Sequence, residues 1–548
     1  MVRPRSLGPV ALLLFVAVAT LAATLPAGAA AMKPSSAPTR RRPRPNILFV
    51  LTDDMALGDL AFMPNTRALI GDQGATFDNY FVNSSVCCPS RATTLRGQYE
   101  HNTGVLSNGG SNGGFEKAHR SGIERDTIAT HLQHAGYQTG LFGKYLNGYP
   151  NSAPETYVPP GWTDWASPVR GNAYGEYDYT LNENHVLREY GHAADEYGTD
   201  VYVGLADQFI RGASAAGSPF FAYVSVYAPH EPATPAPSDV GAFPDAQVPR
   251  TEAFNQADVT GMPKFVSSLP LLTPEEIASI DTLERLRLES LQAVDRGVGT
   301  LMETLRATHH LDDTDIVFAS DNGFHLGQHR LPAGKLTAYD TDIRVPLLVR
   351  GPGITAGRHV RALAGNVDLT ATFAAMAGIK PPSFSDGRSL VAAAKGRLRA
   401  GTATGRAAPE WRQAYLVEHR NVTGVSNPPR TRNAQHLPLE PDDPDQVDGT
   451  GTASKLHDRT NMARNAHLRD YDAVRTARYL YVKYADGERE LYDTRNDPEE
   501  IHNLAATGVD HHIETVLDRQ LEELRHCAGN ACRAAEARTP HQLAAQAS

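Results

Sequence analysis

Two apolar runs end on groups that could bind a cation. Asn46-Ile-Leu-Phe-Val-Leu51 closes on Thr52-Asp53-Asp54, and Asp315-Ile-Val-Phe-Ala-Ser320 closes on Asp321-Asn322-Gly323. Brought together, Asp53, Asp54 and Asp321 would repel one another and raise one another's pKa. A hard divalent cation relieves that repulsion. With Asn322 as a fourth oxygen donor, the set favours Ca²⁺ or Mg²⁺ over zinc. The plain alternative is that Asp53 and Asp54 are turn or cap residues. Two cations stand in similar places: Lys144 follows Gln138-Thr-Gly-Leu-Phe142 and Gly143, and His230 follows Phe220-Phe-Ala-Tyr-Val-Ser-Val226. Cys87 and Cys88 are adjacent and poorly placed to bond each other, so at least one is an unpaired thiol that needs an explanation.

The elements that must position these residues follow from the pattern. Continuous apolar runs of this length suit strands buried on both faces, and Val345-Pro-Leu-Leu-Val349 is a further one. Between them lie helices. Thr273-Pro274-Glu275-Glu276 is a capping box with proline at the first helical position, opening a helix to about His309. Asp126–His134 and Leu369–Ala377 are two more, stopped by Gly136 and Gly378. Buried strands alternating with helices predict an α/β fold, a mostly parallel sheet sandwiched by helices. In such folds functional residues gather beyond the carboxyl ends of the strands, where Asp53, Asp54, Lys144, His230, Asp321 and Asn322 fall.

From about residue 405 the pattern changes. Asn421–Arg469 is polar and aperiodic and reads as a surface excursion. Arg478-Tyr-Leu-Tyr-Val-Lys-Tyr484, an Asp486-Gly487 turn and Arg489-Glu-Leu-Tyr492 read as an antiparallel hairpin, followed by a helix from about Asp510 to Arg525. The expected organisation is residues 1–31 a signal peptide, 32–45 a linker, 46–404 a catalytic domain and 405–548 a smaller α+β domain containing an antiparallel sheet.

The leader assignment rests on Arg3 and Arg5, the apolar run Val10–Leu25 and the small residues Ala27-Gly28-Ala29-Ala30-Ala31. The run falls short of the ~20 residues needed to span a bilayer, and no later segment reaches that length without charges. A secreted, extracellular protein with no stable membrane span is expected. Export permits disulfides, and Cys527 and Cys532 are close enough to pair. With 548 residues, 52 Lys+Arg against 62 Asp+Glu and a net charge of −10, the chain lacks the basic surplus of a general nucleic-acid binder. At 41% hydrophobic it has the apolar content for a sizeable core, which excludes a mainly disordered chain.

Cys87-Cys88-Pro89-Ser90-Arg91, followed by Leu95-Arg96-Gly97, resembles the signature of the formylglycine-dependent sulfatases, in which the first cysteine is oxidised to formylglycine (3-oxoalanine). Asp53-Asp54 and Asp321-Asn322-Gly323 resemble that family's metal-ligand pairs. Gly143-Lys144, Pro229-His230 and Gly334-Lys335 resemble its basic active-site positions. Tyr492-Asp493 through Asp497-Pro498-Glu499 to Asn503-Leu504 resembles its C-terminal ending. Cys-Cys-Pro-Ser-Arg, Gly-Lys-Tyr-Leu-Asn and the terminal Cys-x4-Cys are similar to the N-acetylglucosamine-6-sulfatase branch. Two departures stand out. Many members have Lys-x-His where this chain has Lys144-Tyr145-Leu146-Asn147, and Arg96 stands where threonine often precedes the glycine.

The resemblance implies an alkaline-phosphatase-like sheet arrangement and a Ca²⁺ site formed by Asp53, Asp54, Asp321, Asn322 and the modified Cys87. It implies partners too: a sulfated sugar substrate, and a formylglycine-generating enzyme during maturation. Residue 87, as an aldehyde hydrate, would attack sulfur with one hydroxyl and release sulfate through the other. Arg91 would balance charge beside it, Lys144 and Lys335 would bind sulfate oxygens, and His230 with Lys335 would protonate the leaving oxygen. The alternatives are an arylsulfatase, a phosphonate or phosphodiester hydrolase of the same superfamily, and a glycan-binding protein with an unmodified Cys87. His325 and His329 are expected to structure their loop or face substrate rather than bind zinc. Trp162, Tyr174, Tyr177 and Tyr179 are open to two readings, sugar stacking and core packing.

Overall fold

A computed structural model of the chain describes residues 44–398, 411–421, 468–508 and 511–538. The leader expected over 1–31, most of the linker and the interior of the polar excursion lie outside the described residues.

Each apolar run forms the strand expected of it. A ten-stranded sheet has the order Arg358–Val360, Ala75–Phe77, Leu347–Arg350, Thr314–Ser320, Asn46–Thr52, Phe220–Ser225, Gln138–Gly143, Asp164–Gly171, Tyr179–Glu183, Val186–Tyr190. The five strands from Thr314–Ser320 to Asp164–Gly171 run parallel. Leu347–Arg350 and the last two strands pair antiparallel. Side chains alternate across Asn46–Thr52. Ile47, Phe49 and Leu51 enter the layer holding the helices Cys87–Arg96, Ile128–His134 and Leu369–Met376, while Leu48 and Val50 face Gly198–Ala215 and Pro274–Ala307. Apolar burial on both faces, worth roughly 1.5–3 kcal/mol per large side chain, explains why these strands show no polar alternation.

The long helix Pro274–Ala307 starts on its capping box: Glu276 N–H donates to Thr273 Oγ1 (3.3 Å), and Thr273 N–H to Glu276 Oε2 (2.7 Å). A separate four-stranded antiparallel sheet orders Ala414–His419, Tyr471–Thr476, Tyr479–Tyr484 and Arg489–Asp493, with Gly487 at φ +94° in the hairpin turn. Helix His511–Leu524 follows, and Cys527 is disulfide-bonded to Cys532. No helix among the described residues is long and apolar enough to cross a membrane.

An ion pair ties the short helix Glu100–Thr103 to the small sheet. His101 sets Nδ1 2.9 Å from the fully buried Glu418 carboxylate and Nε2 2.9 Å from the Cys527 carbonyl. Burial opposes a charge on this imidazole, but Glu418 overcomes it and raises the pKa to about 9. A raised folded-state value means the pair contributes in full below the ordinary pKa of about 6.5 and is lost as pH rises through 9. We therefore expect the melting temperature to fall between pH 7 and 9.5. His101→Gln should remove about 2–3 kcal/mol at pH 6 and flatten that slope, read by thermal denaturation across pH. An unchanged slope would refute the assignment.

Candidate active site

The parallel register brings the carboxyl ends of four strands side by side, with Thr52 opposite Ser320 and both Leu51 and Gly143 opposite Ser225. The residues just beyond are those the sequence singles out. Asp53 and Asp54 leave the first strand, Asp321 and Asn322 its neighbour, and Lys144 another. His230 stands in the turn after Phe220–Ser225. Gly143 makes the exit to Lys144 possible: at φ +107°, a Cβ there would lie 1.9 Å from the Ser225 carbonyl oxygen. Cys87 opens the buried helix Cys87–Arg96, with Pro89 in its first turn.

These side chains converge. Cys87 Sγ lies 3.3 Å from Asp53 Oδ1 and 3.9 Å from Asp54 Oδ1. Lys335 Nζ donates to Cys87 Sγ (2.8 Å) and Asp54 Oδ1 (2.5 Å), and Lys144 Nζ to Asp53 Oδ2 (2.6 Å). Arg91 Nε donates to Asp321 Oδ2 (2.7 Å) and Nη1 to Ser225 Oγ (2.7 Å), with Nη2 3.8 Å from Asp53. Asp321 Oδ1 accepts the backbone N–H of Asp54 (3.1 Å) and of Asn322 (2.8 Å). Asn322 Nδ2 donates to Asp54 Oδ1 (2.6 Å), while its Oδ1 is buried without a hydrogen-bond partner among the described residues. His230 donates Nδ1–H to the Glu231 carbonyl (2.7 Å), which leaves Nε2 3.6 Å from Asp54 Oδ2.

Charge in this cluster is unevenly compensated. Burial alone would raise Asp53, but Lys144, His230, Arg91 and Lys335 outweigh it and hold it low. Asp54 is likewise held low against burial, by Lys335 and His230. Asp321 is pushed up to about 6 by burial and by Asp53, against the pull of Arg91. Burial also lowers His230 and, with Asp53, raises the Cys87 thiol. Three carboxylates thus face three permanent cations, Arg91, Lys144 and Lys335, and the sum is near zero. A divalent cation would turn that into a positive surplus able to receive an anionic ester.

The residues fit such a cation. Ligand atoms of Asp53, Asp54, Cys87 and His230 all lie within 4.8 Å of one another. The buried, unpartnered Asn322 Oδ1 is a further oxygen donor, and Asp321 borders the group. The sequence reading casts His230 as an acid; the structure also sets its Nε2 among the ligand atoms. Oxygen donors dominate, which suits a hard cation.

Other flagged residues separate. His325 is bound to Asp342 (Nδ1–Oδ1 2.9 Å), and His329 to Gln256 (2.9 Å) with its ring 4.3 Å from Tyr339. Both hold their loop. Trp162 stacks on Phe221 in the core, and Tyr179 is buried beside Tyr190. Tyr174 instead reaches the site: its ring is 4.5 Å from the His230 ring and 4.8 Å from Lys144 Nζ. Leu146, in the place of the missing Lys-x-His histidine, is buried apolar core, and Asn147 is buried with Oδ1 unpartnered among the described residues. Arg96 clamps the helix end, donating to the carbonyls of Asp126 (2.6 Å) and Ile123 (3.3 Å) over the Phe384 ring. Ser225, the anchor of Arg91, carries no sequence motif.

Sequence comparisons with known proteins agree on one family, and solved structures share its fold. The sequence model of the family described as Sulfatase matches residues 45–379. Human N-acetylglucosamine-6-sulfatase is 34% identical over 510 residues, covering 89% of this chain and 86% of that protein. An arylsulfatase of Volvox carteri is 31% identical, covering 89% of this chain and 76% of its own length. Among solved structures, one in complex with its substrate D-glucosamine-2-N,6-O-disulfate shares the fold at TM-score 0.67 and 23% identity, covering 90% of this chain and 99% of that one. A phosphonate monoester hydrolase of Agrobacterium radiobacter shares it at TM-score 0.60 and 21% identity, covering 88% and 95%.

Proposed function

The chain belongs to the sulfatase family and is a sulfuric ester hydrolase, and from that premise we propose that it is a secreted, Ca²⁺-dependent enzyme acting on the 6-sulfate of N-acetylglucosamine in a glycosaminoglycan-type glycan. The observation that carries the reading is the convergence of Cys87 with Asp53, Asp54 and Lys335 at a helix N-terminus. The identity with human N-acetylglucosamine-6-sulfatase over most of both chains supports the choice of ester.

Asp53, Asp54, Asp321, Asn322 and residue 87 would hold the cation. When bound, that ion supplies Lewis-acid polarisation and charge stabilisation, and a formylglycine made from Cys87 supplies an oxygen nucleophile. The side chains do the rest. Lys144 and Lys335, each with about 2% of the side chain exposed, form a fixed positive floor for the sulfate oxygens. Arg91 holds Asp321 in place and offsets its charge. His230 keeps 16% exposure. It therefore lies on the open side, where an alcohol would leave, and is placed to protonate the departing oxygen once it carries a proton. The Tyr174 ring excludes water from the flank of Lys144 and His230.

Two measurements test this. Mass spectrometry of the peptide carrying position 87, from the exported native protein, should show formylglycine; an intact thiol there would sink the nucleophile. Turnover of glucosamine-6-sulfate should exceed that of 4-nitrophenyl sulfate and of phosphonate or phosphodiester substrates. Preference for a phosphorus ester would overturn the assignment, and preference for the aryl ester would replace the sugar with an arylsulfatase activity.

A further inference from the structure

We propose that Arg287, which belongs to no motif and touches neither residue 87 nor a ligand side chain, is the positioning residue that fixes the geometry of the cation site from below. The inference rests on the reading of Asp54 as a metal ligand.

Arg287 projects from the middle of helix Pro274–Ala307 and has no exposed surface. Its Nη2 donates to the Asp54 carbonyl (2.7 Å) and to Asp59 Oδ2 (2.9 Å), and its Nη1 to the Pro229 carbonyl (3.3 Å). The guanidinium plane lies 4.5 Å from the centre of the Phe324 ring. One side chain therefore joins the segments leaving three adjacent strands: the Asp53-Asp54 pair, the turn that carries His230, and the segment two residues past Asn322. Asp59 lies in the short helical turn that follows Asp54 and is itself held by the Ala56 N–H (3.0 Å).

Asp54 needs such a hold. It adopts φ +65°, a left-handed conformation uncommon for a non-glycine residue. That conformation turns its carbonyl toward the helix and its carboxylate toward Lys335, Asn322 and His230. Asp54 lies past the strand's last ladder position, Thr52, and among the described residues Arg287 supplies the hydrogen bond to its carbonyl. A lysine has neither the planar fork to reach two carbonyls and a carboxylate together nor the flat face that stacks on Phe324.

The test uses the purified full chain and Ca²⁺ alone as the probe. Arg287→Lys should raise the Ca²⁺ dissociation constant at least tenfold. Its turnover should fall at low Ca²⁺ and recover as Ca²⁺ is raised, with KM for substrate unchanged at saturating metal. Arg306→Lys, an exposed position on the same helix, should leave all of these unchanged. Should Arg287→Lys fail to fold by near-UV circular dichroism, the double variant Asp59→Asn, Phe324→Leu keeps the guanidinium but loosens it, and should weaken Ca²⁺ binding at least threefold. A folded Arg287 variant, or the double variant in its place, with native Ca²⁺ affinity overturns the proposal while leaving the metal site standing. A native chain that takes up no Ca²⁺ overturns both.

Discussion

Cys87→Ala should abolish sulfate-ester turnover, by at least about 10⁴-fold, while leaving the folded chain close to native stability. The two halves of that expectation have separate physical grounds. Sγ is buried at the start of its helix against the polar site groups Lys335, Asp53 and Asp54, and Cys87 belongs to no apolar cluster among the described residues. Removing one atom there opens little cavity and strands no apolar neighbour, so the stability cost should stay near about 1 kcal/mol. Turnover has no such tolerance, because Cys87 is, among the described residues, the thiol or hydroxyl that meets both Lys335 and Asp54. Serine is the sharper control. Its hydroxyl could take up sulfate once, but the resulting ester has no geminal hydroxyl to expel the group, so Cys87→Ser should give at most one turnover per chain. A burst assay on a chromogenic sulfate, with melting curves for both variants, reads this out; steady turnover by either would refute the role of position 87.

How much of this was legible beforehand depends on how far each feature is local. The strands Asn46–Thr52, Phe220–Ser225 and Thr314–Ser320 announce themselves because burial on both faces demands continuous apolar runs. The long helix does so through a capping box that needs four residues. The candidate ligands Asp53, Asp54, Asp321 and Asn322 follow from a topological rule about strand ends, and the structure places all four together. Other features depend on contacts between distant segments. Ser225 looks like any strand residue until Arg91 donates to it from 134 positions away. Arg287 is one arginine in a charged helix; only the fold lays Asp54, Pro229 and Phe324 around it. Tyr174 was open to two readings, and neither described its place against Lys144 and His230. The last two strands, Tyr179–Glu183 and Val186–Tyr190, escaped because neither carries a continuous apolar run; Val186, on the edge strand, is 55% exposed.

The unpaired thiol follows the same division. Spacing alone separates Cys527 and Cys532, which are bonded, from Cys87 and Cys88, which are buried and in no disulfide. Spacing does not say why two cysteines stay outside a disulfide. Cys88 joins the apolar core and donates its backbone N–H to Asn108 Oδ1 (2.9 Å), so it packs as a small hydrophobe. Cys87, one residue earlier, turns instead into the carboxylate and lysine cluster. Adjacent cysteines thus have opposite surroundings because the helix begins between core and site, and only one of them is placed for chemistry.

Stripping the cation with a chelator should be the second large effect, reducing turnover by at least about 10³-fold and restored by Ca²⁺. The charge balance gives the reason. With Arg91, Lys144 and Lys335 already matched by Asp53, Asp54 and Asp321, the bare site offers an anionic ester no net attraction. Only an added divalent charge creates the surplus that transition-state oxygens need. Asp54→Asn should reproduce the loss by another route. It keeps the side-chain shape but removes one carboxylate from the cation and leaves the Lys335 ammonium, 2.5 Å away and buried, without its counter-charge. Leaving a buried charge unpaired costs about 3–5 kcal/mol, so this variant should also melt earlier than the native chain, which Cys87→Ala should not. Metal affinity by calorimetry should fall at least about 10³-fold, near 4 kcal/mol. The identity of the ion is decided in the same experiment. Ca²⁺ should restore the chelated native enzyme best and Mg²⁺ partly, as oxygen donors require. Restoration by Zn²⁺ alone would mean that His230 and residue 87, rather than the carboxylates, dominate the coordination, and would overturn the hard-cation reading.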